Sequence, residues 1–111
     1  MRATGTGESH VARPLSREAY LTECDPDFVV DFLCNVFDMP VPKLKATHGK
    51  ASTFHGTYQI DRRTITYTKP YTGVILHELA HHFTHMRGLN GTGHHSQQFA
   101  DILQELIDLW V

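Results

Sequence analysis

Cysteine is scarce in this chain of 111 residues: only Cys24 and Cys34 occur, and they are not in C-x-x-C spacing. That spacing argues against a cysteine-built zinc site and against a disulfide scaffold, and both residues are expected to be reduced thiols. Long apolar runs are missing as well. No stretch approaches the ~18 residues that a membrane span requires, and residues 1–9 lack the hydrophobic core of a signal peptide, so no membrane partner is expected and a cytoplasmic location follows by default. Internal repeats and low-complexity tracts are also absent. The chain is long enough for one modest core and too short for two.

What remains is an ordinary globular composition, with 41% hydrophobic and 20% charged residues, which by itself names no function. The formal net charge of -2 conceals a division. Acidic residues gather between Glu8 and Asp38, whereas Lys43, Lys45, Lys50, Arg62, Arg63 and Lys69 are offset only by Asp61. Histidine is the conspicuous excess: nine occur, most of them between His77 and His95, and that concentration suggests a metal.

Residues 1–20 carry Gly5, Gly7 and Pro14 without sustained periodicity and read as a flexible N-terminal tail, leaving 21–111 as a single domain. Asp25-Pro26-Asp27 is a helix start, with Asp25 as cap and Pro26 at the first helical position. Val29, Phe32, Leu33 and Val36 then form an apolar stripe that ends at Asp38-Met39-Pro40. Between Val41 and Lys69 the texture turns β-branched and aromatic, and strands are expected at Leu44–His48, Phe54–Ile60 and Thr64–Thr68, the last two as a hairpin. Gly56 weakens the second of these strands or marks a bulge. After Pro70, Thr72 can cap a helix running through Val74, Ile75, Leu76, Leu79, Ala80 and Phe83 to about Arg87. A Gly-rich loop follows, and a final helix opens near Ser96 with Phe99, Ile102, Leu103, Leu106 and Trp110 as its buried face. The fold class is α+β, with a small, mostly antiparallel three-stranded sheet.

The chemistry lies in His77-Glu78-Leu79-Ala80-His81. Residues four apart on a helix share a face, so His77 and His81 can aim two imidazoles at one ion, with Glu78 beside them. Zinc takes about four ligands, leaving one position to water at a catalytic site. The bound metal acidifies that water, and Glu78 is placed to take its proton and deliver it to a leaving amine. This predicts a zinc metallopeptidase acting on a peptide or protein. A third ligand is needed. His85 lies too far along the helix, because eight residues rise about 12 Å, and His82 points a quarter turn away and suits packing. Either His94 or His95, beyond the loop, could close the site.

His77-Glu78-Leu79-Ala80-His81-His82 followed by Gly93-His94-His95-Ser96-Gln97-Gln98-Phe99 resembles the SprT-like zincins and small metallohydrolases of actinobacteria. The resemblance covers residues 41–110 and implies a minimal zincin-like domain in which a short sheet precedes the active helix. In these families the third histidine stands four residues before a phenylalanine that opens the next helix, which selects His95, with His94 behind it. Ser96 departs from the glycine usual there. A metzincin would need glycine at Thr84 and histidine at Arg87, and is rejected. A carboxylate ligand from the last helix, Asp101 or Glu105, is the remaining alternative, although both suit the polar stripe of that helix. The resemblance also implies an edge strand that pairs with extended substrate, with Phe54–Ile60 as the counterpart, and an oxyanion stabiliser among Tyr58, Tyr67, Tyr71, His82 and His94.

Two further functions compete with the peptidase. SprT-like proteins act on DNA-bound protein, and the basic stretch at 43–69 makes a nucleic-acid partner conceivable, although no DNA-binding motif accompanies it. A closed, non-catalytic zinc site is the other, and it would leave Glu78 a structural residue.

Overall fold

The computed structural model describes residues 15–47, 55–88 and 96–110. Its elements run α1 (Arg17–Tyr20), α2 (Pro26–Val36), β1 (Lys43–Ala46), β2 (Gly56–Gln59), β3 (Thr64–Tyr67), α3 (Thr72–Met86) and α4 (Gln97–Trp110). The fold is α+β, with four helices and a small mixed sheet among the described residues.

Among the described residues helical structure starts at Arg17, inside the stretch read from the sequence as tail; Ser16 caps this turn by accepting from the Ala19 amide at 3.1 Å. As expected, α2 starts with Asp25 as N-cap and Pro26 in its first turn. Its end is a Schellman closure. Asp38 adopts φ 55°, which lets Met39 N–H reach the Cys34 carbonyl at 2.8 Å and Asp38 N–H reach that of Asn35 at 3.3 Å, satisfying carbonyls the helix leaves open.

The sheet order is β1-β3-β2, with β3 parallel to β1 and antiparallel to β2. The hairpin β2–β3 is thus as expected, but the sheet is not mostly antiparallel: one of its two ladders runs parallel. The chain reaches β1 first, then forms the hairpin so that its second strand slots in beside β1. Lys43 pairs with Thr64 and Ala46 with Tyr67, while Gly56 pairs with Tyr67 and Gln59 with Thr64. Each expected strand is present in shortened form; His48 and Phe54 lie outside the described residues.

Helix α3 is the hub, packing against α1, α2, α4, β2 and β3. Its Ile75, Leu76, Leu79, Ala80 and Phe83 are buried in one core with Val29, Val30, Leu33 and Cys34 of α2, Ile65 of β3, and Phe99, Ile102, Leu106 and Ile107 of α4. Phe32 and Val36, expected in that core, are 39% and 48% exposed. The buried face of α2 is rotated from the expected one, and Phe32 instead joins Phe28 and Trp110 in an edge-to-face surface cluster with centroids about 6 Å apart.

Thr72 is not the cap of α3. Tyr71 occupies the N-cap without a side-chain bond, because the Thr72 hydroxyl and amide both donate to the Thr22 carbonyl at 2.7 Å. With the Cys24 N–H to Pro70 carbonyl bond and the Glu23–Tyr71 bridge, this fastens the segment after α1 to the start of the motif helix. At the other end Gly88, with φ 73°, supplies the left-handed residue that stops α3. The described helices contain none long and apolar enough to cross a membrane.

Candidate metal centre

His77 and His81 lie on one face of α3, their ring centroids 5.0 Å apart and their planes inclined at 76°. Two imidazoles bound to one zinc at about 2.0–2.1 Å, at a near-tetrahedral angle, have centroids about 5 Å apart. The pair therefore fits a shared ion without rearrangement of the helix. Both rings are half-buried. Phe99, the third residue of α4, closes one side, stacking on His81 at 4.4 Å and 29° and meeting His77 edge-on at 5.1 Å.

Why Phe99 reaches that position is local chemistry. Ser96 caps α4, accepting from the Phe99 amide through its hydroxyl at 3.2 Å, and its carbonyl takes the Ala100 amide at 3.0 Å. The departure from glycine at this position thus has a use. A serine cap starts the helix where the phenylalanine faces the histidines.

Glu78 is 8% exposed, next to the histidine face and under the start of β2. Burial pushes its carboxyl up to about 7, because the interior disfavours the charged form. Gly56 makes the contact with β2 possible. A Cβ there would lie 2.6 Å from Val74 Cγ1 and 3.4 Å from Glu78 Cγ. The glycine marks no bulge, since it pairs in register with Tyr67; it marks the place where strand meets helix.

The chain matches no protein-family model, no curated protein and no solved structure. Its own residues must therefore carry the reading of the site.

Among the described residues no group of three metal-ligating side chains occurs; His94 and His95, the expected sources of the third ligand, lie outside them. The carboxylate alternatives are engaged elsewhere. Asp101 is exposed and accepts from Gln97 at 2.8 Å, and Glu105 pairs with Arg87 at 3.9 Å on the surface. Both belong to the outer stripe of α4. His85 is also turned away, its Nδ1 3.1 Å from the Tyr58 hydroxyl. Cys34 is buried and Cys24 half-buried, both as free thiols, and burial pushes the Cys34 thiol up to about 12.

Of the residues named as oxyanion stabilisers, His82 and Tyr58 are excluded by their partners. His82 is fully buried, with Nδ1 2.7 Å from the Tyr58 hydroxyl and Nε2 2.7 Å from the Pro40 carbonyl. Tyr67 lies in the field of Asp27, Cys24 and Asp25, and the ring of Tyr71 rests edge-on against His55 at 5.5 Å. A different tyrosine, Tyr20, lies by the site. Its ring edge covers Gly73, so that a Cβ on Gly73 would overlap Tyr20 Cγ, Cδ2 and Cε2. Sequence reading passed over it because it stood at the edge of the assumed tail. Gly73, a helix-weakening residue in the first turn of an apolar helix, was the one local sign of such a close approach.

Proposed function

We propose that this protein is a zinc-dependent metallopeptidase with a minimal zincin-like fold, in which His77 and His81 are metal ligands, Glu78 is the general base, and His95 is the third ligand. The observation that carries the reading is the 5.0 Å separation of the two imidazoles on one helical face, with the buried Glu78 carboxyl beside them. A structural histidine pair would have no need of that carboxyl.

Zinc, when bound, acidifies the attacking water and polarises the scissile carbonyl. The remaining work falls to the chain. A Glu78 carboxylate oxygen accepts a proton from the attacking water and passes it to the departing amine nitrogen. Phe99 covers the face of His81, meets His77 edge-on, and so holds both rings in place. Strand β2, one edge of the sheet and packed on α3, offers main-chain groups to an extended peptide, which would lie along it beside Glu78.

The test is a comparison of Glu78→Gln with the wild-type chain for bound zinc and for cleavage of labelled casein. Zinc content should be unchanged and cleavage lost. Cleavage at the wild-type rate, or a wild-type chain that fails to hold zinc, would sink the reading.

A further inference from the structure

Resting on the peptidase reading, we propose that Tyr20 is a further catalytic residue of this site: seated on Gly73, one helical turn before His77, its phenol donates a hydrogen bond to the substrate carbonyl oxygen as negative charge develops there.

Gly73, His77 and His81 are spaced four apart and form one stripe along α3, and helical side chains lean toward the N-terminus. Gly73, covered by the Tyr20 ring, thus lies one turn before His77 on the same stripe. Glu78 is the next residue round the helix. Burial first, and the Glu78 carboxylate second, raise the Tyr20 phenol above its ordinary value, so the two groups are within electrostatic reach and the phenol keeps its proton at neutral pH. It is also reachable, since Tyr20 is 38% exposed. A protonated hydroxyl at the open end of the stripe is a donor that Tyr58, bonded to His82 and His85, does not supply. The proton stays on the phenol throughout; only the hydrogen bond strengthens.

The position is well held. Tyr20 ends α1, and the segment directly after it is fastened to α3 by the paired bonds from Thr72 to Thr22 and by that of Cys24 to Pro70. A donor fixed in this way needs little reorganisation as charge forms, which is what makes such donors effective.

The test uses the zinc-loaded full chain with labelled casein as substrate. Tyr20→Phe keeps the ring on Gly73 and removes only the hydroxyl; kcat should fall about 100-fold, in the range seen when one such donor is lost, with KM and bound zinc little changed. Gly73→Ala, which displaces the ring, should give a similar loss. Wild-type kcat in Tyr20→Phe overturns the proposal. A second readout does not depend on turnover: the 13Cζ resonance of Tyr20, assigned by its disappearance in Tyr20→Phe. Its titration should move to lower pH on zinc loading, and also in metal-free Glu78→Gln. A titration indifferent to both changes removes Tyr20 from the site. A wild-type chain that binds zinc but leaves casein intact counts against the peptidase reading alone, and the titration then decides on Tyr20.

Discussion

Tyr58 donates its hydroxyl proton to Nδ1 of His82 across 2.7 Å. The direction follows from the other ring nitrogen, which faces a Pro40 carbonyl that can only accept, so Nε2 carries the hydrogen and Nδ1 the lone pair. The Tyr58 oxygen is left to accept from Nδ1–H of His85 at 3.1 Å. Two histidine tautomers are thus assigned by one carbonyl, and the second strand is tied to the later turns of the motif helix.

Tyr58→Phe should therefore act on stability rather than chemistry. It leaves the buried Nδ1 of His82 without a donor, which costs roughly 1–3 kcal/mol. Urea denaturation should show that loss, while zinc affinity and turnover per folded molecule stay at wild-type values. A fall in kcat with stability unchanged would return Tyr58 to the active site.

His82 and Glu78 should tilt the pH dependence of stability in opposite directions in the metal-free protein. Burial lowers the His82 pKa, so the unfolded chain binds more protons than the folded one, and this contribution is present above the ordinary value of 6.5 and lost as pH falls through the lower folded value. Glu78 is raised from 4.5 to about 7. The folded state then holds the extra proton, and its contribution is complete below 4.5 and lost as pH rises to about 7. Its size is at most about 3 kcal/mol. Denaturation midpoints of Glu78→Gln across pH 4.5–8 should lack this decline; an unchanged profile would place the Glu78 carboxyl in solvent.

Gly56→Ala should crowd the junction of β2 with α3, because the new methyl meets Val74 Cγ1 at 2.6 Å and the Thr66 carbonyl at 3.3 Å. The cost expected of such overpacking is about 1–3 kcal/mol. Adding Val74→Ala opens room on the nearer side, so the double variant should be more stable than the two single losses summed. Strict additivity would show that the strand does not press on Val74.

His95→Ala should lower zinc affinity by more than about 100-fold, beyond what the loss of an outer-shell partner costs, whereas His94→Ala should leave most of it. Competition with a chromophoric chelator separates them. The reverse order would make His94 the ligand, and retention of affinity in both variants would move the third ligand to another residue. Visible spectra of the cobalt-substituted chain check the same site for an open position, which a closed structural site would lack.

Much of this was legible because it is local. The cap and proline at Asp25-Pro26, the apolar face of α3, most of that of α4, where Ile107 is buried and Leu103 and Trp110 only partly so, and the serine opening α4 are written within a turn or two of chain. The burial of α2 was harder: Val29, Phe32, Leu33 and Val36 make one acceptable helical stripe and Val29, Val30, Leu33 and Cys34 another, and packing against α3 chose the second. Strand direction was not local at all, since four-residue strands carry no mark of whether β3 will lie beside β1 or only beside β2. Within the site, His77, Glu78 and His81 follow from helical spacing. Tyr20 does not, because it comes near them only through a bare Gly73 and the bonds at Thr22 and Thr72.

The stacking of Phe99 on His81 also sets an order of events during synthesis. The two imidazoles leave the ribosome before the aromatic ring that screens them, and until α4 has emerged and docked, the pair stands in open water with its rotamers unrestrained. Chains truncated just before Phe99 should hold zinc poorly and cleave nothing, which zinc titration and casein cleavage by the truncated chain can measure.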